Sequence, residues 1–236
     1  MPNYPAIEQQ LTETLHLRRR PVAVSFLNQE PEAPAKFEGS MPSGCSFWRL
    51  AAAGRSFYTV PSDHFNCPVG SYTHNLALPE ARTAELTGTL TLMTEIGYIS
   101  MDEVPGIPRL AQAPAAIVYA PLGDAAIGPD VVLVAGRPGS VMLLQEAAQR
   151  AGITSALPLL TRPTCMALPA ALKSGVIVSA GCIGNRVYTD IGDEELYAAI
   201  PGKDLERLAE ALQTIAQANA TLKQFHEGRR QQIATS

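Results

Sequence analysis

The run Val131-Val132-Leu133-Val134-Ala135 holds no polar side chain, and residues 115–120 hold only the Tyr119 hydroxyl. Apolar runs of this length, rich in β-branched residues, belong to strands covered on both faces; a strand with one wet face alternates with polar residues instead. Covering such strands twice takes helices above and below, and amphipathic stripes lie on either side of the runs. Ile7, Leu11 and Leu15 mark a short helix near the start, and Leu205, Leu208, Leu212, Ile215, Asn219 and Leu222 mark a long one near the end. The expected architecture is α/β, or α+β, with a mixed sheet flanked by helices and a long amphipathic C-terminal helix. A chain of 236 residues fits this as a single domain, 1–236.

Punctuation and period place the remaining elements. Residues 21–27 form a β-rich stretch opened by Pro21, a strand. Helices are expected over 45–53, closed by Gly54, over 139–150, ended by Gly152, and over 165–173, followed by Gly175. Short strands should occupy 56–60 and 176–179, the second of them interior to the sheet like 131–135. Pro79 and Glu80 open a helix whose inward face is Leu86, Leu90, Met93 and Gly97. Asp193 should cap a short helix through Ala199, and the last helix should run over about 203–225. Residues 61–78 show no periodicity, and irregular stretches of that length inside a domain often carry function.

Composition narrows the function classes. A hydrophobic share of 46% against 17% charged is too apolar for a disordered chain. With a net charge of −4, the two short basic clusters, Arg18-Arg19-Arg20 and Arg229-Arg230, make no face for nucleic-acid phosphates. No run approaches the roughly 18 apolar residues of a membrane span. Met1 to Glu8 has neither the basic nor the apolar region of a signal peptide. The expectation is a cytoplasmic protein without nucleic-acid or membrane partners. In that reducing compartment, four cysteines do not read as a disulfide framework.

The cysteines recur in a pattern. Pro42-Ser43-Gly44-Cys45 leads a helix, a glycine, a strand and Cys67-Pro68-Val69-Gly70; Arg162-Pro163-Thr164-Cys165 leads a helix, a glycine, a strand and Gly181-Cys182-Ile183-Gly184. The echo points to two related halves, 21–110 and 115–215. Each half has one cysteine at a helix start, where free N–H groups favour a thiolate, and one in a glycine-bearing turn after a strand. Halves packed about an approximate two-fold would bring the four thiols together. Four thiolates satisfy an iron–sulfur cluster of the 4Fe-4S type, with zinc as the alternative, although no C-x-x-C pair is present. Isolated buried cysteines acting as small hydrophobes also account for each position separately. Phe47, Trp48 and Tyr72 lie close enough in sequence to shield a cluster.

Three other constellations carry chemistry. His64 precedes Cys67 in an H-x-x-C arrangement and His74 follows it, which suits a mixed zinc site or a base beside a thiol nucleophile; ordinary loop histidines look the same. Gly136-Arg137-Pro138-Gly139-Ser140 joins a strand to a helix, and its backbone N–H groups with Arg137 suit a phosphate-like anion. It has neither the glycine spacing of a dinucleotide fingerprint nor the lysine of a P-loop, and a tight strand-to-helix turn needs the same glycines. Asn185-Arg186, beside Cys182, is a second candidate anion contact, with Asp190 and Asp193 as competing partners for the arginine. The leucine seam of the last helix suits either a homodimer or packing on the chain's own sheet.

Pro21-Val22-Ala23-Val24-Ser25-Phe26, Gly44-Cys45-Ser46-Phe47, Cys67-Pro68-Val69-Gly70 and above all Gly181-Cys182-Ile183-Gly184-Asn185-Arg186 with Asp193-Glu194-Glu195-Leu196 resemble the domain-of-unknown-function one-six-nine family of bacterial and archaeal proteins. The resemblance spans most of the chain. It implies a soluble cytoplasmic protein of one domain type and no particular reaction. Besides a partner-binding protein acting through the C-terminal helix, two function classes stand open. One is a redox or sensing protein that holds an iron–sulfur cluster through Cys45, Cys67, Cys165 and Cys182 and meets an electron partner. The other is an enzyme or binding protein for a small anionic ligand, with Gly136, Gly139, Ser140, Asn185 and Arg186 as contacts and the cysteines structural or singly reactive.

Overall fold

The computed structural model describes residues 2–155 and 159–234. Six strands, β1 (Val22–Leu27), β2 (Phe57–Thr59), β3 (Ala116–Pro121), β4 (Val131–Gly136), β5 (Ile177–Ser179) and β6 (Leu196–Pro201), form one sheet in the order β2-β3-β1-β4-β6-β5. Every ladder between these strands is antiparallel. The sheet thus falls on the α+β side of the expected class. Parallel pairing is confined to isolated bridges, such as Ser155 with Val176 and Leu160 with Ser179.

Alternation along the strands splits the core into two layers. Val22, Val24, Ile117, Tyr119, Val131, Leu133, Tyr197 and Ala199 point to the face covered by α2 (Cys45–Ala52) and α6 (Ala167–Ser174). Ala23, Val132, Val134, Ala198 and Ile200 point to the opposite face, under α1 (Tyr4–Leu15), α5 (Pro138–Arg150) and α8 (Leu205–Ala234). Both faces of β4 are dry, which is why its run tolerates no charge. Leu11, Leu144, Leu208 and Leu212 are wholly excluded from solvent, and each such leucine stabilises the fold by about 1.5–3 kcal/mol. Among the described residues, no helix is long and apolar enough to cross a membrane.

The sheet order places the strands of the two halves in matching positions. β1 and β4 are central, β3 and β6 come next, and β2 and β5 are outermost. Two related halves would give this order. A break between such halves would fall at residues 122–130 and would put β3 with the first, outside the 21–110 span expected for it.

Several elements depart from the sequence expectation; short helices over Pro68–Thr73 and Ile183–Thr189 stand where an irregular stretch and a turn were expected. β5 is buried on both faces, yet it ends the sheet; its outer edge meets Ser155 and Leu160 instead of another strand. The short helix expected after Asp193 is a tight turn, in which Glu195 N–H donates to Gly192 O, followed by β6. Pairing on both sides, with β4 and β5, outweighs the helix propensity of Ala198 and Ala199. α4 (Glu80–Glu95) buries no residue, and its expected inward leucines are only half-covered. α8 extends to Ala234, and its stripe leaves the core after Ile215: Leu205, Leu208 and Leu212 are buried, whereas Leu222 is exposed.

This division of α8 predicts two unlike responses to the same change. Leu212→Asp should lose roughly 3–5 kcal/mol in urea unfolding, because an unpaired charge replaces a buried leucine. Leu222→Asp should stay within about 0.5 kcal/mol of the parent. Equal losses at both positions would mean that the outer part of α8 is also covered in solution.

Candidate functional site

Each of the four cysteines begins a helical segment on one side of the sheet. Cys45 is the first residue of α2, and Cys67 is the N-cap of α3 (Pro68–Thr73). Cys165 sits in the tight turn Thr164–Met166 that leads into α6, and Cys182 is the N-cap of α7 (Ile183–Thr189). The chain reaches a sulfur by four routes, and all four sulfur-bearing residues line one cavity of about 590 Å³.

Backbone donors converge on these sulfurs. Asn185 N–H donates to Cys182 Sγ at 3.5 Å, and the amides of Gly44 and Gly70 favour the Cys67 thiolate. A Cβ on Gly70 would lie 2.9 Å from Cys67 Sγ, so only glycine lets the α3 backbone approach that sulfur undisturbed. Gly181 has φ +77°, and a Cβ there would lie 2.9 Å from Asn185 Oδ1. Cys182 N–H donates to the Thr164 hydroxyl, which ties the two cysteine turns of the second half together.

Burial dominates the electrostatics. It pushes the Cys45 thiol well above the usual range; Cys165 and Cys67 add to the shift, and the Asn185 amide opposes it. Cys165 is raised by burial and then by Cys67, against the Thr73 hydroxyl. Cys67 is raised by burial, against its two amides. Three protonated thiols at neutral pH follow for the metal-free protein. Among the described residues, no group of three or more His, Cys, Asp or Glu side chains is arranged to hold a metal ion as the side chains stand.

The histidines lie in the core rather than on the cavity wall. His64 Nε2 hydrogen-bonds the Thr59 hydroxyl at 2.8 Å, and its ring stands 5.6 Å from that of His74. His64 Nδ1, both ring nitrogens of His74 and the Tyr119 hydroxyl are buried without hydrogen-bond partners. Desolvation pushes His64 well below its ordinary value and His74 down to about 4. Phe47 and Trp48 are buried in the core, and the aromatic residues on the cavity wall are Tyr98 and Tyr188.

The anion contacts expected from sequence separate. Gly136, Gly139 and Ser140 lie off the cavity at the start of α5, where the Ser140 hydroxyl donates to Leu15 O at 2.7 Å. Pro138 in the first turn of that helix removes one of the N–H groups an anion would use. Arg186 is committed to its own loop: it donates to Gly192 O at 2.8 Å, to Glu195 O at 3.3 Å and to Ala180 O, and it pairs with Asp193. Asn185 alone of this set joins the cysteines on the wall. The leucine stripe of α4 supplies Leu90 and Met93 to the same wall, with Tyr98, Ile99 and Ile107 from the segment that follows. Sequence periodicity detected that stripe and assigned it to a core.

Residues 10–211 match the family DUF169, described as uncharacterised ArCR. The chain belongs to the DUF169 family. All four cysteines and Asn185 of this DUF169 chain fall inside the matched span, and the resemblance read from its motifs stands. An uncharacterised protein of Methanocaldococcus jannaschii, MJ0308, is 25% identical over 228 residues, which cover 89% of this chain and 93% of that one. No solved structure matches the chain.

The buried histidines predict an acid-sensitive fold. Both are held below their unfolded value of 6.5, so the unfolded chain binds protons that the folded one refuses. Stability is full above pH 6.5 and falls as the pH drops toward about 4, by about 1.4 kcal/mol per pH unit for each histidine. The raised thiols act at the other end: in metal-free protein their stabilisation is full below pH 9.0 and is lost above it. Urea unfolding across this range should show both limbs, and His74→Asn should make the acid limb shallower. An acid limb of unchanged slope in that variant would assign it to other groups.

Proposed function

We propose that this DUF169 protein binds a [4Fe-4S] cluster through Cys45, Cys67, Cys165 and Cys182 and serves as a cytoplasmic redox or sensing protein. The observation that carries the reading is the gathering of four cysteines, from four separate helix starts, on the wall of one cavity. Three further features support it. The donor set is all thiol, the ligation used by clusters of this type. Backbone amides are aimed at the Cys67 and Cys182 sulfurs, and such hydrogen bonds stabilise cluster-bound thiolates and tune their potential. The walls are mainly apolar, which keeps water from the iron.

Loading requires the thiols to draw in around the cluster and lose their protons. Cys45, Cys67, Cys165 and Cys182 would hold the cluster as thiolates, and the protons of the raised thiols would pass to solvent on binding. The buried thiols resist ionisation without a cation, so uptake is coupled to pH and rises as the pH rises. Once bound, a cluster would supply one-electron chemistry. The chain's part is to hold it, shield it and present it to an electron partner. A reducing cytoplasm suits four free cysteines.

Anaerobic reconstitution with iron and sulfide tests this directly. The expected product is brown, holds about four irons and four sulfides per chain, and gives the resonance spectrum of a cubane cluster on reduction. Cys182→Ser should weaken iron retention by more than about tenfold and bleach the colour. Protein that takes up zinc in place of iron, or that holds neither iron nor sulfide, overturns the cluster reading.

A further inference from the structure

We infer that the same cavity also takes an uncharged, mainly apolar organic molecule carrying one hydrogen-bonding group, enclosed between the cysteines and α4. The inference concerns the space that a cluster leaves unfilled, and its chemistry stands with or without iron.

Size and lining come first. A cavity of about 590 Å³ lies in the range of small-molecule sites. Val69, Leu90, Met93, Ile99, Val104 and Ile107 give water almost nothing to bond. A cubane held by the four cysteines would be smaller than this space. The remaining volume calls for carbon.

Charge and polarity then narrow the class. The charged side chains on the wall, Arg162 and Glu103, pair with each other at 3.1 Å, and the Arg162 guanidinium lies 4.9 Å from the Tyr98 ring centroid. The wall therefore presents no net charge to a ligand. Asn185 is only 2% exposed; its side-chain amide lies beside the Cys45 thiol and the Tyr197 hydroxyl, yet neither its nitrogen nor its oxygen makes a hydrogen bond of full geometry. A buried amide left in that state is costly, and a single polar group on the ligand would satisfy it.

The covering helix gives the third argument. α4 buries no residue of its own, although Leu90 and Met93 face the cavity. Its threonines, Thr83, Thr87, Thr89, Thr91 and Thr94, turn their hydroxyls back to carbonyls one turn earlier, which leaves their methyl groups outward. The segment is held to the body by polar ties such as Arg82 to Asn66 and the Tyr72 hydroxyl to Val104 O. A ligand beneath α4 would supply the apolar contact that the protein itself does not.

The test titrates metal-free protein with N-phenyl-1-naphthylamine, an uncharged probe with one N–H donor that fluoresces in apolar surroundings. Fluorescence should saturate at one probe per chain, and amide exchange over residues 86–99 should slow. Met93→Trp, which fills the cavity, should weaken binding by at least about tenfold, with Leu90→Trp as the second filling variant and circular dichroism to confirm folding. Asn185→Leu should weaken it by about fivefold, the worth of one neutral hydrogen bond. Phe225→Ser, on the exposed part of α8, should leave binding unchanged. Fluorescence that never saturates, that falls with Phe225→Ser and not with the filling variants, or that is matched by the anionic anilinonaphthalene sulfonate overturns the inference. Protein that loads iron and fails to bind the probe defeats this inference alone; protein that binds the probe and takes up no iron defeats the cluster reading alone.

Discussion

β1 and β4 pair antiparallel through Val22 with Leu133, Ala23 with Val132 and Val24 with Val131, and this short ladder joins the two halves of the sheet. Because the side-chain period of a strand is two, the register decides which residues face which layer of helices. Val22, Val24, Val131 and Leu133 all fall on the face of α2 and α6, and Ala23 and Val132 fall on the other. A slip by one residue would turn every one of them over. With the register held, α2 and α6 pack on one side of the central ladder, and Cys45 and Cys165, one at the start of α2 and one in the turn leading into α6, reach a common cavity.

Desolvation governs the chemistry of that cavity. It holds thiols protonated and histidines neutral, since the charged forms lose water and gain few partners. Cys45, Cys67 and Cys165 are in consequence weak nucleophiles and poor acids on their own. A cation changes the balance, because its charge stabilises the thiolates that burial disfavours. The apolar wall that suppresses ionisation of the free thiols is thus compatible with a metal cluster and, beside it, with an uncharged organic molecule.

α4 shows how one pattern serves two ends. A stripe at Leu86, Leu90 and Met93 normally reports a helix packed on a core. Here the stripe covers a cavity: Leu86, Leu90 and Met93 are half-covered, and most of the helix is exposed. Elements with few buried contacts open at low free-energy cost, which suits a segment that must admit a ligand or a cluster precursor.

Local sequence by itself determined the charge-free strands β3 and β4, the stripes of α1 and the first half of α8, and the helices that follow Cys45 and Cys165. Each rests on neighbours within a few residues, where period and punctuation act. The same local signals misplaced residues 196–201, because Asp193 and two alanines favour a helix until β4 and β5 offer pairing on both sides. They also left Arg186 and Ser140 as candidate anion contacts, when carbonyls of its own loop occupy Arg186 and the distant Leu15 carbonyl occupies Ser140. The placing of Cys45, Cys67, Cys165 and Cys182 on one cavity wall, the burial of the Asn185 amide and the neutral pairing of Arg162 with Glu103 were decided only in three dimensions. The reason is physical: these are contacts between segments far apart in the chain, and only the register of the sheet and the burial it imposes set their distances and charges.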